Sequence, residues 1–102
     1  MINEAQEEID VYSQIRDLAD KLCTKLKLDL ASWHCGSKAF GPGGCMDITI
    51  TFCGSNVIKP NVEKQITKFI TKIVNDFPVN LVSETYNNYG KNTKQFIFVL
   101  YI

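Results

Sequence analysis

The sequence predicts an α+β protein with the element order αββαββ. It is expected to form a pseudo-duplicated two-layer sandwich, in which two helices cover one face of a four-stranded, mainly antiparallel sheet. Three observations predict this fold: two stretches with apolar residues at helical spacing, four alternating stretches, and a match between the two halves of the chain. The 102 residues suffice for one hydrophobic core, so a single domain over 1–102 is expected.

The first αββ unit begins with a helix. Apolar residues recur at helical spacing from Ile9 to Leu26, with acids at the start and lysines at the end, as the helix dipole favours. An alternating stretch, Leu28 and Leu30, then leads into the glycine-rich segment 32–45, SWHCGSKAFGPGGC. Beyond that segment apolar residues alternate with Asp and Thr, which predicts a half-buried strand and therefore a hairpin: Met46, Ile48, Ile50 and Phe52.

The second unit repeats this order. Pro60 is placed to begin a helix, where its missing N–H costs nothing, and Pro78 follows the end of the apolar stripe. Extended runs over 79–86 and 94–102 flank a turn-rich segment.

The two halves match in sequence as well as in pattern. A shift of 51 pairs the first helix and first strand with the helix and first strand of the second half, and the shift falls to 48 for the last strand of each half. We interpret 9–53 and 60–102 as internal repeats related by a pseudo-twofold axis. One such unit cannot cover its own apolar face, which is a physical reason for pairing two.

Strand alternation predicts which side chains face away from the helices. The outward set contains an unusual number of apolar and aromatic residues: Ala31, Trp33, Cys35, Val82, Tyr86, Ile97, Val99 and Tyr101. Such patches in soluble proteins usually bind a partner or ligand. The residues predicted to bind the partner are five members of this set and a phenylalanine at the first hairpin tip: Trp33, Phe40, Tyr86, Ile97, Val99 and Tyr101.

The residue types in segment 32–45 suggest two further hypotheses, a metal site and a catalytic thiol. His34, Cys35 and Cys45 are suitable ligand types, but the spacing includes no Cys-x-x-Cys and no second His, so no metal and no cofactor are expected. Alternation places His34 and Cys35 on opposite faces, which argues against a Cys–His catalytic pair. A hairpin register with residue numbers summing to 80 sets Cys35 opposite Cys45 and predicts that their sulfurs are neighbours.

Known patterns explain this segment poorly. The glycines lead into a strand, whereas a phosphate-binding loop leads into a helix. The order αββαββ is similar in topology to single-chain LAGLIDADG nucleases and permuted ferredoxin-like domains. Those nucleases need a small-residue helix seam ending in catalytic acids, and KLCTKLKLDL has none. We therefore interpret the segment as a lengthened hairpin tip that carries Phe40 for recognition.

Charge and composition limit which classes of partner and which cellular compartment are expected. Eleven Lys and Arg balance eleven Asp and Glu, so no overall charge favours nucleic acid or an anionic membrane. The acidic N-terminus and the lack of a long apolar run predict a cytoplasmic protein without membrane contact. Lysines at positions 64, 68 and 72 are spaced along one helix face, which leaves nucleic-acid binding as an alternative.

The function predicted from these features is protein binding without catalysis. We expect an inhibitor or regulatory module that forms a homodimer through the open sheet face. The abundance of Ile, Lys and Asn suggests an AT-rich genome, such as that of a low-GC bacterium, its phage or a protist, and the small size of the chain together with this composition suggests a phage or mobile-element protein. Two alternatives remain open: a small-ligand or nucleic-acid-binding domain that uses the aromatic sheet, and a small enzyme that uses Cys35 or Cys45 as a nucleophile.

Overall fold

The fold was analysed in a computed structural model that describes residues 4–36, 46–87 and 92–100, with side chains described over 10–33, 47–87 and 92–100. Two helices and four strands follow one another in the predicted order. Their bounds are α1 Glu4–Leu26, β1 Asp29–Gly36, β2 Met46–Cys53, α2 Pro60–Asp76, β3 Val79–Asn87 and β4 Thr93–Leu100, with a short 3-10 helix at Ser55–Ile58 before α2.

The start of α2 and the end of α1 follow from the local sequence. Pro60 occupies the first turn of α2, and Glu63 adds a negative charge near the positive end of the helix dipole. Helix α1 ends at Leu26, and Lys27 follows it in a left-handed conformation with φ of 56°. The Leu28 N–H then donates to the Cys23 carbonyl over 2.9 Å, a Schellman-type end.

The strands form one antiparallel sheet in the order β1-β2-β4-β3. The two hairpins therefore meet at the central β2–β4 pair, and β1 and β3 form the edges. This order is symmetric about the sheet centre, as a pseudo-twofold arrangement requires. The internal sequence repeat itself stays a prediction.

The first hairpin has a different register from the predicted one. Asp29 pairs with Cys53 and Cys35 pairs with Asp47, so the residue numbers sum to 82. The prediction that Cys35 lies opposite Cys45 is therefore wrong, and Cys45 itself lies outside the described residues. Both sums are even, so the same residues face the helices in either register.

A continuous core fills the space between the sheet and both helices. Its largest fully buried side chains come from the central strands and both helices: Ile15, Ile48, Ile50, Phe52, Ile66, Ile73 and Phe98. Phe52 packs edge-on against Phe69 of α2, with ring centroids 5.8 Å apart. The Tyr12 and Ser32 hydroxyls lie 3.2 Å apart and tie α1 to β1.

Strand β3 contains an irregularity that β1 lacks. Leu81 pairs with Phe98 but Ser83 pairs with Ile97, so Val82 is an extra residue, a β-bulge. Paired residues of an antiparallel sheet share a face, so the bulge reverses the alternation of every later residue in β3. Glu84 and Tyr86 consequently share the face of Phe96 and Lys94.

Candidate functional site

The sheet face away from the helices is built from rows of paired residues that cross the strands. The central row contains Trp33, Thr49, Ile97 and Ser83, one from each strand in spatial order. Trp33 is 49% exposed, whereas Thr49 is only 3% exposed. The small threonine lies between two larger apolar side chains, so the row presents the indole and the isoleucine as one surface.

The neighbouring rows combine polar and apolar residues. Asp47, Val99 and Asn80 form the row on one side, and Ala31, Thr51 and Gln95 begin the row on the other. The Gln95 amide donates to the Thr51 hydroxyl over 3.4 Å, a polar link between β4 and β2. We call this surface the open face and define it by Trp33, Thr49, Ile97 and Val99.

Three predicted partner-binding residues lie together on the open face: Trp33, Ile97 and Val99. Phe40 and Tyr101, predicted for the same role, lie outside the described residues. The placement of Tyr86 on this face is wrong, because the bulge at Val82 turns it to the helix side of the sheet. Val82 is 57% exposed at the bulge.

Tyr86 instead belongs to a groove at the start of α2, which sequence pattern did not reveal. The groove has a volume of about 510 Å³ and is lined by Ile58, Glu63, Glu84, Thr85, Tyr86 and Lys94. Lys94 Nζ lies 3.3 Å from Glu63 Oε1, and the Tyr86 hydroxyl donates to Asn92 Oδ1 over 3.1 Å. No periodicity marks these residues, because they come from four different elements and the bulge in β3 turns Glu84 and Tyr86 to this side.

The Cys23 thiol is unsuited to nucleophilic chemistry at neutral pH. Cys23 is buried in the core, and burial, followed by the charges of Asp20, Cys53 and Asp29, raises its pKa to about 12. Its thiol therefore stays protonated. Over the described side chains, no group of three His, Cys, Asp or Glu residues is arranged to hold a metal ion.

The segment that first suggested chemistry is only partly described. His34 and Cys35 occupy consecutive positions of β1, where they pair with Ile48 and Asp47. Consecutive strand positions belong to opposite faces of the pleat, in agreement with the argument against a Cys–His pair. Thiol catalysis by Cys35 or Cys45 and the absence of metal stay predictions.

Neither of the two helices, as described, is long and apolar enough to cross a membrane. Comparison with protein-family models, with curated proteins and with solved structures gives no match for this chain.

Proposed function

We propose that this protein is a binding module without catalytic activity, which self-associates by packing the open faces of two copies together. The observation that carries the proposal is the half-exposed Trp33 in one row with Ile97. Tryptophan at the surface of a sheet loses much of its contact with water when a second protein covers it, and it is among the residues that dominate interface energies.

The area of the open face supports a dimer of modest strength. Four strands about 4.8 Å apart, each about eight residues long at about 3.4 Å per residue, give roughly 500 Å² in projection. At the centre of this face Thr49 and Thr51 are only 3% and 9% exposed, so the contact area comes mainly from the side chains around them. Standard specific interfaces bury about 800 Å² from each partner. The face therefore supplies most of the area that such an interface uses.

The distribution of charge favours a protein partner over nucleic acid. Three exposed lysines lie along α2, in the layer opposite the open face: Lys64, Lys68 and Lys72. A surface for single strands combines aromatic stacking with basic residues on the same side. Trp33 and these lysines are separated by the full thickness of the sandwich.

The proposal predicts a mass that rises toward 23 kDa, twice the 11.5 kDa chain, as concentration increases. Val99→Lys should keep the protein monomeric, because a dimer would bury the new charge. Leaving a charge unpaired in an interface costs about 3 kcal/mol, which is roughly a hundredfold in the dissociation constant. In the monomer the lysine replaces a half-buried residue and can extend its ammonium group into solvent, so the fold is expected to survive.

Sedimentation equilibrium measures the masses, and Trp33 emission provides a second signal, since it is the only tryptophan. The matched control is Thr67→Lys, on the exposed surface of α2, which should dimerise like the wild type. A wild-type mass that stays at 11.5 kDa, with Trp33 emission independent of concentration, would contradict the proposal.

A further inference from the structure

The second surface of interest is the free edge of β3 beside α2. In the part of the chain that the structure describes, β3 pairs with β4 on one side and with no strand on the other. Its residues from Asn80 to Asn87 are exposed except for the half-buried Ser83. An edge strand with unpaired backbone groups is a template for a further strand.

Two grooves flank this edge on the helix side. The first, of about 540 Å³, lies near the end of α2 and is mainly apolar, with Ile70, Val74 and Leu81 in its lining. Leu81 is 36% exposed although it points to the helix side, because the edge strand has no neighbour to cover it. A groove of this kind can accept one aliphatic side chain.

The second groove is the one at Tyr86 and carries excess negative charge. Lys94 pairs with Glu63, and Glu84 adds a second carboxylate on the same side of the sheet. Ile58 and Tyr86 supply apolar surface beside these charges. Two carboxylates against one ammonium, next to an aromatic ring, suit the long apolar stem and cationic head of arginine or lysine.

We propose that the β3 edge binds an extended peptide segment of a partner protein, which adds a fifth strand to the sheet. An aliphatic side chain of the segment occupies the groove at Leu81, and a basic side chain occupies the groove at Tyr86. Main-chain hydrogen bonds supply affinity and the two grooves supply specificity, as in other cases of strand addition. This site does not rest on self-association through the open face, because the two surfaces are different.

The register across the sheet sets the spacing of the two side chains. Leu81 pairs with Phe98 and Tyr86 with Lys94, so the grooves lie four residues apart on the regular neighbour strand. Side chains of a strand return to the same face every second residue. A segment with an aliphatic and a basic residue four positions apart therefore reaches both grooves, whereas a spacing of three sends one of them to the wrong face.

Charge argues against a second copy of this chain as the occupant. An antiparallel pair of β3 strands about a twofold axis near Ser83 brings the two Glu84 carboxylates within a few positions of each other. Like charges on neighbouring strand positions are unfavourable. A basic partner segment converts the same carboxylate into an attraction.

The test uses fluorescein-labelled, threonine-based peptides of about ten residues that carry one leucine and one arginine. Fluorescence anisotropy is measured for both orders of the two residues, since an added strand can run in either direction. A spacing of four in one order should bind saturably, and the peptide with a spacing of three should bind at least about tenfold more weakly. Absence of saturable binding in both orders, or equal binding at both spacings, overturns the proposal.

Two variants assign the binding to this groove. Glu84→Lys replaces an attraction by a repulsion and should weaken binding about fivefold or more. Asp20→Lys makes the same change of charge on the exposed surface of α1 and should leave binding unchanged. Equal losses in both variants would indicate only general electrostatic attraction and overturn the site.

One further measurement separates this proposal from the open-face dimer. The Val99→Lys protein should bind the peptide with wild-type affinity, because Val99 lies on the other face of the sheet. Loss of peptide binding in that variant would place the peptide on the open face and overturn the edge site. If the wild-type protein does not dimerise, the open-face proposal fails, but peptide binding at the β3 edge is still expected.

Discussion

At the scale of single residues, Cys23 shows how burial controls the chemistry of a thiol. It lies on α1 among core residues and within the influence of Asp20, Cys53 and Asp29. Burial is the main cause of its raised pKa, because the core solvates a thiolate poorly, and the neighbouring negative groups add to the effect. The thiol therefore acts as a small apolar side chain.

The raised pKa of Cys23 makes stability depend on pH in the alkaline range. The pKa of about 12 in the folded protein exceeds the ordinary thiol value of 9.0, so the contribution of the thiol to stability is complete below pH 9. As pH rises from 9 toward 12 the unfolded chain releases this proton first, and the free energy of unfolding falls by about 1.4 kcal/mol per pH unit.

Urea unfolding at pH 8 and pH 10.5 measures this dependence, with Cys23→Ala as the reference that lacks the thiol. The wild type should lose about 2 kcal/mol more than the variant between the two pH values. Equal losses in both proteins would show that other groups cause the alkaline destabilisation.

At Gly54 the backbone conformation, and not a lack of space, makes substitution unfavourable. Its φ of 134° and ψ of 163° lie in a region that is nearly restricted to glycine. A Cβ there would meet only Leu28 Cδ2, at an ordinary 3.6 Å. The position also links two elements, since the Gly54 N–H donates to the Asn92 carbonyl over 3.0 Å.

Gly54→Ala should therefore lower the free energy of unfolding by about 1–3 kcal/mol through backbone strain. Chemical denaturation measures the loss, and Ser55→Ala, at the next and exposed position, is the control. A loss no larger than that of the control would mean that the backbone at position 54 relaxes without cost.

At the scale of elements, the bulge in β3 serves two purposes. It turns Glu84 and Tyr86 toward α2, and it interrupts the regular edge at Val82. Proteins use bulges on edge strands to limit pairing between copies. The five residues from Ser83 onward remain regularly paired with β4 and form the part of the edge next to the charged groove.

Deletion of Val82 should test this protective role. Pairing of Leu81 with Phe98 and of Ser83 with Ile97 can persist without the extra residue, so the fold should remain and β3 should become a regular edge. We expect faster aggregation on heating, measured by light scattering, because a longer flat edge pairs more readily. Val82→Ala keeps the bulge and should aggregate like the wild type; equal behaviour of both variants would contradict a protective role.

At the scale of the whole molecule, the periodicity of the sequence predicts the fold because burial on one face imposes it. Helical spacing over α1 and α2 and alternation over the strands identify the elements and their inward faces. Ile48, Ile50 and Phe98 are buried as that alternation predicts. The apolar pattern determines only whether the sum of paired residue numbers is even or odd. It therefore allows both 80 and 82 in the first hairpin, and the observed sum is 82.

The candidate sites were predictable to different degrees for the same reason. Trp33, Ile97 and Val99 follow from regular alternation and lie on the expected face. Tyr86 does not, because a single extra residue reverses alternation without leaving a signal in the apolar pattern. The groove beside it depends on how α2 lies against the edge of the sheet, and this tertiary arrangement is absent from local periodicity.

The bulge also bears on how this chain would align with evolutionary relatives. A change of one residue in length at Val82 leaves the strand pairing on both sides intact, so insertions and deletions at this position disturb the fold little. We expect relatives to differ in length at this position. An alignment without a gap at Val82 would then compare groove residues of one protein with open-face residues of another, and would hide the ancestry of both surfaces.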